Sequence, residues 1–458
     1  MSGIPPRLAM EAARNLPPCE DRFDLHWDTI MDHFQLRDGE LYCEDVALAE
    51  IAAQVGTPVY VYSTATMLRH VAVLRSALAE LPNALIAYAV KANPNLAILA
   101  TLASAGLGAD VVSGGEIQRA RAAGVPANKI VFSGVGKTPE EMHLALSEGV
   151  FQFNLESIEE AETLSALASS LETDARVAFR VNPDVAAGTH AKITTGLADS
   201  KFGIAIDEAP AAYARAAALP GLTVQGVAVH IGSQLTSLAP LEQAFTKLGE
   251  LIVMLRSQGA EISVADLGGG LGVPYDPTLP VPPAPSAYGE MVKRVTRGWD
   301  VRLIFEPGRL IVGNAGLLLS RVIRVKQGAT HPFVIVDAAM NDLMRPALYD
   351  AWHQIDAVRP RGKRGIANVV GPVCESGDTF ATARKMDLVA SDDLIVFRTA
   401  GAYAATMSST YNSRPLAPEV LVNGSRWEVI RPRIGVEAMI AADRVPTWLG
   451  AGVTECGA

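Results

Sequence analysis

Eight short apolar or β-rich segments recur along the first two thirds of the chain, and alanine- and leucine-rich amphipathic segments separate most of them. Strands that alternate with helices favour a parallel sheet. Eight repeats predict a closed (β/α)8 barrel, although an open doubly wound sheet would show the same periodicity. The predicted strands are residues 86–90, 108–113, 130–134, 151–156, 176–182, 224–233, 264–270 and 302–309.

Polar residues and glycines stand at the carboxyl ends of these predicted strands. Barrel active sites lie at that end, in the loops that follow the strands. Strand ends are more polar than strand centres in most proteins, so this pattern alone does not establish a site. The residues concerned are Lys91, Asp110, Ser113, Ser133, Asn154, Glu156, Arg180, Asn182, His230, Ser233, Gly268, Gly269, Gly270, Glu306 and Arg309.

Beyond Leu319 the helical periodicity fades, and β-rich pieces alternate with turns. This change predicts a second, mostly β domain (a β-barrel or sandwich) after the α/β barrel. Residues 41–43 also read as a strand. The predicted division is an N-terminal extension over 1–33, a strand segment joining the β domain over 34–56, the barrel over 57–318 and the β-rich domain over 319–458.

Composition excludes several classes of protein. The 458 residues are 49% hydrophobic, enough for two buried cores. There are 39 basic and 49 acidic side chains and no basic run, which disfavours nucleic acid as a partner. No apolar run approaches the roughly 20 residues that span a bilayer, and residues 1–37 lack a signal-peptide pattern. The cysteines, Cys19, Cys43, Cys374 and Cys456, are too far apart to indicate a disulfide framework or a metal site, so we expect a cytoplasmic protein.

Lys91 follows the apolar run 86–90 and precedes a turn marked by Pro94. Desolvation of an ammonium is costly, so we expect a lowered pKa and an amine able to form an imine with an aldehyde such as pyridoxal phosphate. The alternative is a lysine whose side chain simply extends to water.

Two loops predict a phosphate site. Consecutive glycines at 268–270 let backbone N–H groups approach an anion, and the loop 306–309 follows the next strand. The glycine run lacks the lysine and hydroxyl of a nucleotide-binding P-loop. Glu306 could keep a pyridine nitrogen protonated and so favour decarboxylation, or it could pair with Arg309. His230 could stack on a flat cofactor, or it could be structural.

A second set of candidates lies in the β-rich part. Cys374 could return a proton to a carbanion, and Glu375 could receive a substrate ammonium. Arg345 and Tyr349 could donate hydrogen bonds to a carboxylate. The alternatives are an inert cysteine and ordinary surface pairs.

From about Phe34 to about Glu437 the chain resembles the diaminopimelate decarboxylase family, among the fold type III pyridoxal phosphate enzymes related to alanine racemase and ornithine decarboxylase. Ala339 departs from the glycine that the family often has there. The motifs that carry the resemblance, in family order, are Tyr-Ala-Val-Lys-Ala-Asn, His-Ile-Gly-Ser-Gln, Gly-Gly-Gly-Leu-Gly, Glu-Pro-Gly-Arg, Met-Asn-Asp-Leu-Met-Arg-Pro-Ala-Leu-Tyr and Gly-Pro-Val-Cys-Glu-Ser-Gly-Asp.

The resemblance implies pyridoxal phosphate-dependent decarboxylation of meso-2,6-diaminopimelate to L-lysine and carbon dioxide, the last step of lysine biosynthesis. Lys91 would hold the cofactor, His230 would stack on its ring, Glu306 would meet the ring nitrogen and Cys374 would act as the acid. The remaining implied cofactor contacts are Ser233, Gly268, Gly269, Gly270, Pro307, Gly308, Arg309 and Tyr403.

The resemblance also implies substrate contacts and an assembly. Arg309, Arg345 and Tyr349 would hold the distal carboxylate, Glu375 the distal amine, and Tyr403 would lie near both cofactor and substrate. In this family Cys374 and Glu375 would enter the opposite subunit's barrel, which implies a homodimer. The alternatives are a related decarboxylase of ornithine, lysine or carboxynorspermidine, and a non-catalytic pyridoxal phosphate-binding protein.

Overall fold

The described chain begins with a small antiparallel sheet that packs against the β-rich half of the molecule. The computed structural model describes residues 32–186 and 200–449, so most of the predicted N-terminal extension lies outside it. Leu41 and Cys43 share a buried cluster with Val61 and Leu317, and the predicted strand at 41–43 is present. The first elements are β1 (Phe34–Arg37), β2 (Glu40–Cys43), β3 (Val46–Ala47), α1 (Leu48–Val55), β4 (Val59–Ser63) and α2 (Thr64–Ala77).

Eight parallel strands form a closed barrel, as the repeat predicts. Closure is direct: the last barrel strand is hydrogen-bonded to the first, with Ile304 opposite Leu85 and Phe305 opposite Ile86. The open-sheet alternative is therefore wrong. The barrel strands are β5 (Leu85–Ala89), β6 (Gly108–Val111), β7 (Ile130–Phe132), β8 (Gln152–Leu155), β9 (Ala175–Asn182), β11 (Leu222–Ala228), β12 (Val264–Asp266) and β13 (Arg302–Phe305); the short β10 (Ile204–Ala205) pairs with β9 outside the ring.

Helices between the barrel strands begin at side chains that cap them. Ser113, Thr138 and Ser157 each accept a hydrogen bond from the backbone N–H three residues on, which satisfies a donor that the first helical turn leaves free. No helix within the described residues is long and apolar enough to cross a membrane. The helices are α3 (Leu96–Ser104), α4 (Gly114–Ala122), α5 (Pro139–Glu148), α6 (Ile158–Ser170), α7 (Ala209–Ala217), α8 (Ala239–Ser257), α9 (Pro285–Val295) and α10 (Arg309–Val312).

A nine-stranded, mostly antiparallel sheet follows the barrel, as predicted. Its main strand order is β18, β17, β15, β14, β4, β20, β21, with β19 paired to β14 and β16 to β19. Its elements are β14 (Gly316–Lys326), β15 (Phe333–Val336), α11 (Arg345–Tyr349), β16 (Ile355–Ala357), β17 (Arg364–Val370), β18 (Thr379–Asp387), β19 (Leu394–Phe397), β20 (Glu419–Asn423), β21 (Arg426–Arg431) and α12 (Val436–Ala442).

Strand β4 belongs to this sheet, although the predicted barrel range of 57–318 includes it. It pairs with β14 on one side and with β20 on the other, and all five of its residues are buried. A strand buried on both faces carries no sequence signal of which sheet it joins. The domain limits themselves remain a prediction.

Gly289 in α9 tests how closely the outer helices pack. A Cβ at this position would lie 2.0 Å from the backbone oxygen of Ala77, at the end of α2. Gly289→Ala should therefore lower the free energy of unfolding, and with it the urea midpoint. Overpacking costs roughly 1 to 3 kcal/mol, and the helix-propensity gain of about 1 kcal/mol offsets only part of this cost. Gly136→Ala is the control, because no atom lies within 4 Å of its added Cβ. Equal midpoints for both variants would contradict this packing.

Candidate active site

One cavity at the carboxyl ends of the barrel strands brings together every residue predicted to bind the cofactor. Its floor and walls come from the loops after β5, β11, β12 and β13, together with Tyr403 from the β-rich part. The predicted residues that line it are Lys91, His230, Ser233, Gly268, Gly269, Gly270, Glu306, Pro307, Gly308, Arg309 and Tyr403.

Lys91 lies in a single 3-10 turn directly after β5, and its Nζ is 2.5 Å from Oδ2 of the fully buried Asp110. Burial lowers the pKa of Lys91, but the carboxylates of Asp110 and Glu306 outweigh it, so the pKa is raised. The expected lowered pKa is therefore wrong, because it counted desolvation without the neighbouring charges. Asp110 had no assigned role, yet its strand end adjoins that of Lys91, since Ala89 pairs with Asp110.

Glu306 belongs to a buried group of carboxyls. Burial first, then Asp110 and Asp266, raise the pKa of Glu306 well above its usual value, while Lys91 opposes them. Burial also raises the pKa of Asp266 to about 6, although Asn154 Nδ2 and the N–H of Gly268 donate hydrogen bonds to it. Of Glu306 and Asp266, Glu306 therefore binds its proton more tightly.

The glycine turn after β12 fits between two neighbouring loops only because it has no side chains. A Cβ on Gly269 would lie 2.2 Å from the oxygen of Glu306, and one on Gly270 would lie 2.4 Å from the oxygen of Gly232. Gly268 and Gly270 also have φ angles of 65° and 109°, which favour glycine. The turn therefore presents bare backbone to the cavity.

His230 and Arg309 border this turn. Burial, Arg180 and Lys91 lower the pKa of His230 well below its usual value, and the N–H of Gly269 donates to Nδ1 at 3.3 Å. The imidazole is therefore neutral. Arg309 Nη2 donates to Ser233 Oγ at 3.1 Å, while its buried Nε has no hydrogen-bond partner within the described ranges.

Tyr403 holds an uncommon backbone conformation beside Arg309. Its φ is 54°, in the left-handed region that non-glycine residues rarely adopt, and its N–H donates to the oxygen of Ala92 at 2.8 Å. The Arg309 guanidinium carbon lies 4.9 Å from the centre of the Tyr403 ring. Such strained residues concentrate at ligand sites, where the surrounding structure stabilises them.

Arg345 and Arg309 meet at Tyr275, a residue that the sequence reasoning missed. Arg309 Nη1 donates to the Tyr275 hydroxyl at 2.6 Å, and the Arg345 guanidinium carbon lies 4.5 Å from the centre of the Tyr275 ring. Arg345 is buried, and the half-buried Tyr349 ends the same short helix. The signal available for Tyr275 was its position in the segment just after the glycine turn.

Cys374 and Glu375 do not reach this cavity within one chain. Both are exposed in a loop between β17 and β18. Asp378 anchors the loop by accepting hydrogen bonds from the N–H groups of Val373 and Met340 at 2.7 and 2.6 Å. The loop is therefore ordered at its base and presents its thiol and carboxylate outward.

Comparison with known proteins agrees with this geometry. The profile of a family described as "Pyridoxal-dependent decarboxylase, pyridoxal binding domain" matches residues 67–313. A diaminopimelate decarboxylase of Zymomonas mobilis is 55% identical over 418 residues, which are 91% of this chain and 99% of that protein.

Solved structures show the same similarity. Diaminopimelate decarboxylase of M. jannaschii in complex with L-lysine superposes with a TM-score of 0.88 at 36% identity, covering 91% of this chain and 99% of that one. The Helicobacter pylori enzyme with L-lysine gives 0.83 at 38% identity, covering 86% and 98%. The chain therefore belongs to the diaminopimelate decarboxylase family of pyridoxal-dependent decarboxylases.

Proposed function

We propose that this chain catalyses the pyridoxal phosphate-dependent decarboxylation of meso-2,6-diaminopimelate to L-lysine and carbon dioxide. The observation that carries the proposal is the single cavity in which Lys91, Glu306 and the glycine turn converge, with Arg309 on its wall. Family membership over nearly the whole chain supports the same reaction.

The residues present fit pyridoxal phosphate. The bare glycine turn and the loop 306–309 offer backbone N–H groups to a phosphate, and the buried Nε of Arg309 has a free hydrogen-bond position within the described residues. The neutral imidazole of His230 presents a flat face to a ring, and Glu306 carries a proton for the ring nitrogen. When bound, pyridoxal phosphate supplies a sink for the electrons released at the substrate Cα.

Lys91 must lose a proton before its amine acts as a nucleophile. Asp110 Oδ2 lies 2.5 Å from Nζ and is positioned to receive that proton. Because Asp110 raises the pKa of Lys91, the ammonium is the resting form. Asp110 thus holds the amine in place and takes its proton when the lysine reacts.

Arg309, Arg345 and Tyr349 would bind the distal carboxylate of the substrate, and Tyr403 would lie beside it. The two arginines are 7% and 6% exposed, so a carboxylate between them would be largely desolvated and strongly held. A decarboxylase of ornithine or lysine has less need for this pair, because its substrate has no distal carboxylate. A non-catalytic binding protein would not require it at all.

We infer that Cys374 and Glu375 complete the site of a second subunit in a homodimer. Their exposed loop, anchored by Asp378, projects from a chain whose own cavity they do not line. In that setting Cys374 would deliver a proton to the substrate Cα, and Glu375 would bind the distal ammonium. The cysteines Cys43 and Cys374 are both free, which supports a reducing, cytoplasmic setting.

Lys91→Ala should abolish covalent cofactor attachment, because Lys91 is the only lysine among the described residues that line the cavity. Borohydride reduction followed by peptide mapping should place the adduct on Lys91 in the parent protein and find none in the variant. Lys293→Ala, a surface ion-pair residue, is the control and should keep the adduct. An adduct on another lysine would contradict the proposal.

Cys374→Ala should lower kcat by about 10² to 10⁴, the usual contribution of a positioned acid, while the cofactor stays bound. The measurement is carbon dioxide release beside the cofactor absorbance. Full activity with an unchanged spectrum would remove the proposed role.

A mixture of Lys91→Ala and Cys374→Ala subunits tests the shared site. Hybrid dimers would hold one site with both residues intact, so subunit exchange at equal amounts should restore about a quarter of the parent activity for a two-fold symmetric dimer. Each variant alone is the control. Absence of any recovery after confirmed exchange would place Cys374 in its own subunit's site.

Asp110→Asn should lower the pKa of Lys91, because it removes the charge that stabilises the ammonium. In cofactor-free protein the pH of half-maximal amine labelling at Lys91 should move downward. Each pH unit of that change raises the labelling rate about tenfold at fixed pH. Asp207→Asn, an exposed position, should leave the profile unchanged. An unmoved profile in Asp110→Asn would contradict the assigned interaction.

A further inference from the structure

Tyr275 stands between the two arginines that face the proposed distal carboxylate. The Arg309 guanidinium carbon is 5.6 Å from the centre of the Tyr275 ring and that of Arg345 is 4.5 Å from it. Arg309 Nη1 also donates to the Tyr275 hydroxyl at 2.6 Å. Arg309 belongs to the barrel and Arg345 to the β-rich part, so one phenol joins the two halves of the subsite.

In the part of the chain that the structure describes, no acidic side chain holds these arginines. Neither Arg309 nor Arg345 takes part in an ion pair among residues 32–186 and 200–449. Both are buried, so their mutual repulsion is weakly screened. Some other group must keep the two guanidiniums close while no substrate carboxylate is present.

His353 supports Arg345 without adding charge. Nη1 of Arg345 is 2.9 Å from His353 Nε2, and His353 Nδ1 is 2.8 Å from the oxygen of Arg398. A carbonyl accepts only from an N–H, so Nδ1 carries the proton and Nε2 accepts. Burial and Arg345 lower the pKa of His353 to about 3, which keeps the ring neutral in the physiological range.

His353 also supports the tyrosine. Its ring meets that of Tyr275 edge to face, with centroids 5.4 Å apart and an interplanar angle of 83°. Burial raises the pKa of Tyr275, but Arg309 and Arg345 together lower it by more, so the net pKa is lowered. Tyr275 therefore contacts both arginines: its hydroxyl accepts a hydrogen bond from Arg309, and its ring lies beside the guanidinium of Arg345.

We propose that Tyr275 is a positioning residue that holds Arg309 and Arg345 together and so selects ligands with a distal carboxylate. Without the Tyr275 hydroxyl, repulsion separates the two guanidiniums. Part of the binding free energy of the substrate carboxylate is then used to bring them together, which weakens binding. Ligands without that carboxylate gain nothing from Tyr275. The inference rests on the proposed function, because the distal carboxylate is that of diaminopimelate and lysine.

The test compares two ligands of the cofactor-loaded enzyme that differ in this carboxylate, L-lysine and pentane-1,5-diamine. Dissociation constants follow from the change in cofactor absorbance. In Tyr275→Phe the constant for lysine should rise roughly tenfold or more, the usual effect of losing a hydrogen bond to a charged group. The constant for the diamine should change by less than about twofold.

Tyr42→Phe is the matched control. Tyr42 also lies near one guanidinium, with the Arg37 carbon 5.5 Å from its ring centre, but it belongs to the N-terminal sheet. Neither dissociation constant should change in this variant. With meso-diaminopimelate, Tyr275→Phe should raise KM and leave kcat within about threefold, the pattern of lost binding common to ground and transition states.

Three results overturn the inference. One is a Tyr275→Phe enzyme whose ratio of lysine to diamine affinity equals that of the parent. Another is a parent enzyme that binds both ligands equally, which overturns the proposed substrate as well. If Tyr275→Phe does not fold, His353→Leu replaces it in the test and should weaken lysine binding but not diamine binding. His353→Gln keeps an acceptor for Arg345 and should restore lysine binding. The third contradicting result is a His353→Leu enzyme whose lysine binding is unchanged.

Discussion

The hydrogen bonds between β13 and β5 are the contact on which the rest of the site depends. They join the last barrel strand to the first, and so bring Glu306 close enough to Lys91 for their charges to interact, although the two residues are far apart in sequence. In an open sheet β13 and β5 would not be neighbours. The loop after β5, which carries Lys91, and the loop after β13, which carries Glu306, would then lie apart. Closure also removes two strand edges, because each of these strands then has a hydrogen-bonded neighbour on both sides.

Closure of the barrel also brings charged side chains close together. Asp110 and Glu306 lie near the Lys91 ammonium, and Asp266 lies next to Glu306. Two unit charges 4 Å apart attract by about 4 kcal/mol at an effective dielectric constant near 20. Lys91 Nζ and Asp110 Oδ2 are closer than this and the Lys91 side chain is 37% exposed, so attraction to Asp110 and Glu306 together exceeds the desolvation cost. Burial first, and then the neighbouring carboxyls of Asp110 and Asp266, raise the pKa of Glu306 by more than Lys91 lowers it.

The cavity is built from both halves of the molecule. The barrel contributes Lys91, the glycine turn and Arg309, while the β-rich part contributes Tyr403. Arg345 of the β-rich part lies next to Tyr275, which contacts Arg309. Strand β4 lies in the sheet between β14 and β20, so the chain enters the β-rich sheet before it begins the barrel. This chain path connects the barrel and the β-rich part next to the site. At the site, a backbone hydrogen bond from Tyr403 to Ala92 stabilises the positive φ of Tyr403.

Periodicity, turn residues and ordered motifs are local in sequence, and they were enough to predict the eight strands, the β-rich sheet and the residues that line the cavity. The pKa of Lys91, the role of Asp110, the sheet of β4 and the meeting of two arginines on Tyr275 were not predictable in this way. Each depends on distances between segments that are remote along the chain, and electrostatic energy varies with those distances. Local sequence patterns therefore identify the residues available for the chemistry, whereas the charges beside those residues follow from the folded structure, because folding sets the separations.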